Sequence, residues 1–220
     1  MHKHLDREIE NLKKLFMSLS TLVEENFVQA TKAFKEMNAE AAKLAIGNDE
    51  RIDKMEIEVE EECLKMLALY QPVAVDLRYI ITILKINNDL ERIGDLACNI
   101  AKCTVFLAEH TEFEVSNHFP VMIQKTQVML EKSLDALVNM DTQLAYEVCA
   151  LDTEVDELKN YLEQDLITMI QSTPEQASGL LRLLSIARYL ERMADHVTNI
   201  AEDVIYSADG DIIRHHRKDK

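Results

Sequence analysis

The sequence is poor in the residues that interrupt helices and shape tight turns. Its 220 residues include only four glycines and three prolines, and no tryptophan. β-Sandwiches, β-barrels and nucleotide-binding α/β folds use more glycine than this at their turns. Because glycine and proline are the residues least compatible with a helix interior, their scarcity favours long α-helices. Hydrophobic residues make up 47% of the chain, and this composition excludes a disordered protein.

The sequence also lacks the short motifs that carry common catalytic chemistry. It contains no G-x-x-x-x-G-K-S/T phosphate loop, no H-E-x-x-H zinc motif and no G-x-S-x-G nucleophile turn. The E-x-x-H motif of di-iron carboxylate bundles is absent too. No C-x-x-C pair occurs, and all cysteines fall in helical patterns, so we expect reduced thiols that pack in the interior. These absences predict a protein that is not an enzyme. The four cysteines are Cys63, Cys98, Cys103 and Cys149.

Positive charge is scarce relative to negative charge. The chain has 24 Lys plus Arg against 40 Asp plus Glu, which gives a formal net charge of −16. This balance argues against nucleic acid and anionic membrane surfaces as partners, and it suits the binding of cations. No apolar run reaches the length of about 18 residues that a membrane span requires. Residues 1–6 lack the apolar core of a signal peptide. We therefore expect a cytoplasmic protein with no membrane insertion.

Hydrophobic periodicity predicts helices along nearly the whole chain. In the first half we expect helices over residues 5–37, 39–46, 49–70 and 73–108. In the second half we expect helices over 120–138, 141–150, 152–171 and 174–207. Periodicity is lost over 110–119, which predicts a linker, and residues 209–220 form a polar tail expected to be frayed.

The two halves of the chain repeat each other in sequence. Residues 90–95 read Leu-Glu-Arg-Ile-Gly-Asp, and residues 190–195 read Leu-Glu-Arg-Met-Ala-Asp. Residues 49–53 and 152–156 also correspond, with aspartate at both ends of each segment. We therefore predict an all-α fold of two tandem three-helix-bundle repeats with a pseudo-twofold duplication. The repeats would span 1–109 and 120–208, and a single six-helix array is the alternative architecture.

Acidic residues recur four positions apart on two helices of each half. Residues four apart are offset by about 40° around an α-helix, so they form a stripe on one face. Facing stripes of like charge repel each other unless a cation neutralises them. Carboxylate oxygens suit magnesium, manganese, calcium, iron and sometimes zinc. We predict one metal site per half, and an asparagine continues the acid row on the last helix of each half. The first would use Asp49, Asp53, Glu91, Asp95 and Asn99, and the second Asp152, Asp156, Glu191, Asp195 and Asn199.

A solvated helix face is the alternative interpretation of these stripes. With 40 acidic residues in 220, chance alone gives on the order of seven acidic pairs at this spacing. A single pair therefore carries no signal. The recurrence of the same acid, arginine, acid and amide in register in both halves favours metal binding. Arg92 and Arg192 follow the first acid of each stripe and either brace a carboxylate or form surface ion pairs.

The segments 90–101 and 189–202 resemble the paired signatures of the PhoU family. They read Leu-Glu-Arg-Ile-Gly-Asp-Leu-Ala-Cys-Asn-Ile-Ala and Tyr-Leu-Glu-Arg-Met-Ala-Asp-His-Val-Thr-Asn-Ile-Ala-Glu. The preceding segment Gln-Pro-Val-Ala-Val-Asp-Leu-Arg, residues 71–78, is similar to the lead-in of the first signature. The resemblance covers nearly the whole chain, although Met193-Ala194 replaces the more usual Ile-Gly.

The resemblance implies a negative regulator of phosphate uptake and of the phosphate regulon. PhoU proteins are accessory to the phosphate-specific ABC transporter and act between it and a sensor histidine kinase in signal transduction. The implied partners are therefore the transporter ATPase subunit, that kinase, and further copies of the chain, with a homodimer as the simplest assembly. The resemblance also implies iron or zinc clusters, or other divalent ions, bound by the acid pairs named above, with Asn99 and Asn199 as candidate supports.

Two other functions remain compatible with the residues. A carboxylate-bridged metalloenzyme would use the acids to activate water for phosphoester hydrolysis or to handle oxygen. A metal-free structural adaptor would use them only as a solvated surface. Metal content of the untagged protein separates the adaptor from the other two, because it predicts less than about 0.1 equivalent of bound metal.

Overall fold

A computed structural model of the chain describes residues 2–110 and 115–210. Within these residues the protein is helical and contains no β-strand. The predicted all-α class is confirmed. A 3₁₀ turn at Pro174–Gln176 precedes the last helix, which we predicted to begin at residue 174. The α-helices are α1 (His2–Lys35), α2 (Ala39–Gly47), α3 (Asp49–Tyr70), α4 (Ala74–His110), α5 (His118–Asn139), α6 (Thr142–Ser172) and α7 (Ala177–Asp209).

The same turn follows the first helix of each repeat. Met37 after α1 and Met140 after α5 both adopt a left-handed conformation, with φ of 48° and 50°. The next residue caps the following helix: Asn38 Oδ1 accepts from the Ala41 amide, and Asp141 Oδ1 accepts from the Leu144 amide, both at 3.0 Å. Side-chain caps of this kind satisfy amides that have no partner within the helix.

The second repeat differs from our prediction in its middle helix. We expected a short helix ending near Ala150 and a separate helix from Asp152, by analogy with α2 and α3. The structure instead has one continuous helix, α6. The first repeat is interrupted at Gly47 and Asn48, which are poor helix formers, whereas Ala150 and Leu151 at the corresponding place favour a helix. Asn48 is also held by α1, because its Nδ2 donates to Gln29 Oε1 at 3.0 Å.

One hydrophobic core extends through both repeats. Helix α4 packs against α1, α2 and α3, helix α7 packs against α5 and α6, and α4 and α7 pack against each other. Phe34 of α1 and Phe119 of α5 also pack edge-to-face across the repeats, with ring centroids 5.3 Å apart. The two last helices therefore form the centre of the molecule. The predicted linker 110–119 is longer than the observed connection, because His110 ends α4 and α5 already begins at His118. Residues 111–114 fall outside the described part of the chain, as do residues 211–220 of the predicted tail.

Polar contacts join α4 to α7 alongside the apolar core. The buried Asp203 of α7 lies 3.3 Å from Lys85 Nζ of α4, measured from its Oδ1 atom. Asp89 of α4 pairs with His196 of α7, with 2.8 Å between Oδ1 and Nδ1. None of the four cysteines forms a disulfide, and burial raises the pKa of the Cys63 thiol to about 12. These thiols serve packing rather than cross-linking.

Candidate functional site

Helices α3 and α4 approach closely at a glycine. A Cβ atom placed on Gly94 of α4 would lie 3.1 Å from both Cδ1 and Cγ2 of Ile52 on α3. Such a distance is tighter than ordinary packing, so only glycine fits without movement of its neighbour. Asp53 is the residue after Ile52, and Asp95 is the residue after Gly94. The close approach therefore places the two acid rows of the first repeat side by side.

The pKa values of the acids on α3 and α4 indicate that the two acid rows of the first repeat lie close together. The pKa of Asp53 is raised by partial burial, then by the negative charge of Asp49 on its own helix and by that of Asp95 on α4. The pKa of Glu91 is raised by burial and by Asp95, while Arg92 opposes this rise and Asp53 adds to it. All four carboxylates predicted for the first site thus belong to one cluster.

The second repeat brings its four predicted carboxylates together in the same way. The pKa of Glu191 on α7 is raised by burial, then by Asp195, and then by Asp156 across the helix pair. Lys159 opposes the rise, and Asp152 adds to it. Asp152 is 6% exposed, and its Oδ1 accepts a hydrogen bond from Thr198 Oγ1 on α7 at 3.2 Å.

Two carboxylate oxygens of the first cluster are buried without a hydrogen-bond partner. They are Oδ1 of Asp49 and Oε2 of Glu91. Arg92 approaches the second of these, with Nε 3.3 Å from Oε2, and donates from Nη1 to Asp95 Oδ2 at 3.2 Å. An unpaired buried polar group costs about 1–3 kcal/mol and more when it is charged. Carboxylate oxygens are donors that such cations take, so the chemistry of these residues suits the metal ions that the family resemblance implies.

The carboxylates are not arranged for chelation as they stand. Within residues 2–110 and 115–210, no group of three His, Cys, Asp or Glu side chains has the geometry that holds a metal ion. The cluster therefore brings carboxylates close together and leaves two buried oxygen atoms without a hydrogen bond. Metal ligation by these residues stays a prediction.

The two asparagines proposed as supports lie in different surroundings. Asn199 donates from Nδ2 to Oδ1 of Asp89 on α4 at 3.4 Å, and His196 contacts the same oxygen. The side chain of Asn199 therefore takes part in the contact between the repeats. Asn99 is partly buried one turn after Asp95. Their roles in the metal sites stay predictions.

Two residues that we did not select from the sequence extend the first cluster. The pKa of Glu56 on α3 is raised by partial burial, and then by Glu60 and Asp53. Its Oε1 accepts a hydrogen bond from Nδ2 of the fully buried Asn87 on α4, at 2.9 Å. The available signal was spacing, because Glu56 is three residues after Asp53 and Asn87 is four residues before Glu91.

Comparison with known proteins now identifies the family. Residues 16–104 and 119–204 each match the PhoU domain. The chain belongs to the PhoU family. The Aquifex aeolicus protein named phosphate-specific transport system accessory protein PhoU homolog is 39% identical over 98% of both chains. A Thermotoga maritima protein, PhoU homolog 1, is 36% identical over 95% of this chain and 90% of its own length.

Solved PhoU structures share the fold over nearly the whole chain. The crystal structure of PhoU from Pseudomonas aeruginosa matches with a TM-score of 0.91 at 34% identity, covering 94% of this chain and 99% of that one. The phosphate transport system regulatory protein PhoU from Streptococcus pneumoniae matches with a TM-score of 0.88 at 28% identity, covering 95% and 99%. The predicted family and the predicted repeat fold are therefore confirmed.

The PhoU family is named for accessory and regulatory roles rather than for a catalysed reaction. Membership confirms the prediction that the chain is not an enzyme. Among the described residues, no helix combines the length and the apolar character that a membrane span needs.

Proposed function

We propose that this PhoU-family protein restrains phosphate uptake and represses the phosphate regulon, as an accessory of the phosphate-specific ABC transporter. It acts in the cytoplasm by docking on the transporter's ATPase subunit and on the regulon's sensor histidine kinase, as a homodimer or larger oligomer. The observation that carries this proposal is the match over 98% of both chains to a protein named as such an accessory.

Co-purification tests the partners. The ATPase subunit and the kinase are each immobilised and exposed to the untagged protein at high and at low phosphate, with the ATPase of an unrelated transporter as control. We expect retention on both partners, stronger at high phosphate, and none on the control. Failure to bind either partner in both conditions would overturn the adaptor role. Light scattering of the eluted protein measures the oligomeric state.

We further propose that each repeat binds divalent metal ions, either iron or zinc clusters or magnesium or manganese. The ligands are the carboxylates of Asp49, Asp53, Glu91 and Asp95 in the first repeat, and of Asp152, Asp156, Glu191 and Asp195 in the second. The proposal is supported by the buried oxygens of Asp49 and Glu91 that accept no hydrogen bond. Bound ions would supply positive charge that offsets the repulsion between rows and joins α3 to α4 and α6 to α7.

Metal analysis of paired variants tests these sites. Glu91→Ala with Asp95→Ala removes the α4 row, and Glu58→Ala with Glu61→Ala removes two exposed acids of α3 as a matched control. We expect the first variant to lose the metal of the first site and its stabilisation against heat, and the control to keep both. Metal content and melting temperature that stay at wild-type values in the first variant would contradict the assignment. Less than about 0.1 equivalent in the wild-type protein would favour the metal-free adaptor.

A further inference from the structure

A groove between α1 and α5 has an apolar end and an acidic end. The apolar end is a cavity of about 380 Å³ that α4 and α7 also line. The acidic end is a cavity of about 310 Å³ between α1 and α5. Met17 and Val138 line both cavities and are 40% and 55% exposed, so the two ends form one continuous surface. Adjoining apolar side chains that stay exposed in this way are typical of a contact surface.

Three carboxylates line the acidic end of the groove. Glu24 comes from α1, and Glu131 and Asp135 come from α5. The pKa of Glu24 is raised by partial burial, and then by the negative charges of Glu131 and Asp135 across the groove. No lysine or arginine is among the described residues that line this end. An occupant that suits the whole groove therefore combines apolar side chains with positive charge beyond them.

Helix α7 ends beside the apolar cavity. Ser207 lines this cavity, and Gly210, three residues later on the same side of α7, follows the helix in a left-handed conformation, with φ of 80°. A Cβ atom placed on Gly210 would lie 3.9 Å from Nη1 of Arg78 in the first turns of α4. The neighbouring residues Asp76 and Tyr79 of α4 line the same cavity. The chain therefore leaves α7 at the apolar end of the groove.

The segment that follows has the complementary pattern. Residues 211–220, outside the described part of the chain, read Asp-Ile-Ile-Arg-His-His-Arg-Lys-Asp-Lys, so that two isoleucines precede most of the positive charge. An extended chain spans at most about 3.3–3.6 Å per residue, so the eight residues from Gly210 to Lys218 reach about 26–29 Å. Ile9 and Glu24 line opposite ends of the groove and are about 22 Å apart along α1. The segment is therefore long enough to follow the groove from one end to the other.

We propose that residues 212–218 dock in this groove of their own chain, with the two isoleucines in the apolar cavity and the basic residues beside the three carboxylates. Docking covers the exposed side chains of Met17 and Val138. It also supplies positive charge that offsets the repulsion among the carboxylates. The inference is independent of the proposed metal sites and of the proposed partners.

Photo-crosslinking in the full chain tests this docking. Ile213 is replaced by the photoreactive residue benzoylphenylalanine, and mass spectrometry locates the attachment sites after irradiation. Denaturing electrophoresis separates cross-links within one chain, which leave its mass unchanged, from cross-links between copies, which double it.

Neutralised variants test the contribution of charge. Glu24→Gln, Glu131→Gln and Asp135→Asn together remove the charge of the acidic end. As a matched control, Glu58→Gln, Glu61→Gln and Glu157→Gln together remove three exposed acids that do not line the groove. Circular dichroism verifies that both variants keep the helical content of the wild-type protein.

We expect cross-links within one chain, to residues 9–24 of α1 and 131–140 of α5. The groove variant should lose most of these cross-links, and the control should keep them. Cross-links that double the mass would place the segment on a second copy and overturn the intramolecular docking. Attachment elsewhere, no attachment, or a wild-type yield in the folded groove variant would overturn it as well.

Discussion

In the first repeat Ile52 of α3 packs on Gly94 of α4, whereas the corresponding residues of the second repeat are Val155 and Ala194. All four are buried. From the first repeat to the second, one methylene is lost from the middle helix and one is gained on the last helix. The side-chain volume between the helices is therefore conserved. This comparison indicates that the spacing of the helix pair, and with it the approach of the acid rows, is maintained by compensating residues.

The polar residues around the α3–α4 crossing differ from those around the α6–α7 crossing. Cys98 and Lys102 on α4 correspond to Thr198 and Glu202 on α7. Thr198 donates to Asp152, and the Cys98 thiol interacts with Asp49, the corresponding acid, whereas Lys102 brings positive charge to Asp49 at the position of Glu202. The repeats thus share a scaffold and four acids each, but differ in the hydrogen bonds and charges that surround those acids.

Among the differences between the repeats, the largest effect on the free energy of unfolding is expected where α3 crosses α4. Gly94→Ala gains about 1 kcal/mol of helix propensity, but the added methyl group meets Ile52 at 3.1 Å. Overpacking of this kind costs about 1–3 kcal/mol, so we expect a net loss of about 1 kcal/mol in the free energy of unfolding. Ile52→Val removes Cδ1, one of the two atoms in close contact, and should recover part of that loss in the double variant. Denaturant unfolding of all three variants measures the coupling.

The reverse exchange, Ala194→Gly with Val155→Ile, is the control in the second repeat. We expect the same favourable coupling, because it recreates the packing of the first repeat. Strictly additive effects, within about 0.5 kcal/mol, would show that the two positions do not compensate each other.

A smaller effect on stability is expected at the turn that follows the first helix of each repeat. Met37 and Met140 both have positive φ, a conformation that costs a residue with a Cβ atom about 1 kcal/mol relative to glycine. Met140→Gly should therefore stabilise the protein by about 0.5–1 kcal/mol. Met37 packs against the core, so Met37→Gly also loses apolar contacts and should gain less. Thermal unfolding of both variants provides the measurement, and an equal gain at the two turns would contradict the difference in packing.

The smallest effect is expected in the pH dependence of the melting temperature. Burial and like charges raise the pKa of Glu91 and of Glu191 in the folded protein. Each group therefore binds a proton more tightly in the folded than in the unfolded state, so the folded state gains stability as pH falls through the raised pKa. In metal-free protein, Glu91→Gln should melt about 2 °C or less above wild type near pH 7.5, and the difference should shrink as the pH falls towards the ordinary glutamate pKa of 4.5.

Glu191→Gln should behave in the same direction, because the first causes of the shift are the same in both repeats. Calorimetry of chelator-treated protein across this pH range measures the difference. A Glu91→Gln protein that melts below metal-free wild type near pH 7.5 would contradict the raised pKa.

The sequence predicted the helices well because their signals are local. Capping by Asn38 and Asp141 depends on a side chain three residues from the amide it contacts. The break expected near Ala150 was wrong because it was inferred by analogy with Gly47 rather than from the residues present. Local helix propensity would have given the observed continuous helix.

The candidate site was predicted only in part. Spacing along a helix predicted that Glu91 and Asp95 share one face of α4, because residues four apart lie on the same side, and their role as metal ligands stays a prediction. It was not sufficient to find Glu56 and Asn87, whose significance depends on a contact between helices. The surroundings of Asn199 were likewise set by Asp89, a residue 110 positions away.

The sequence by itself determined the helical class, the duplication and the acid stripes, since each depends on residues near one another in the chain. The tertiary structure alone decided which stripes face each other and which buried oxygen atoms accept no hydrogen bond. These properties depend on how closely two helices approach and on what is then excluded from water. Such distances are set by packing across the core and have no counterpart in local periodicity.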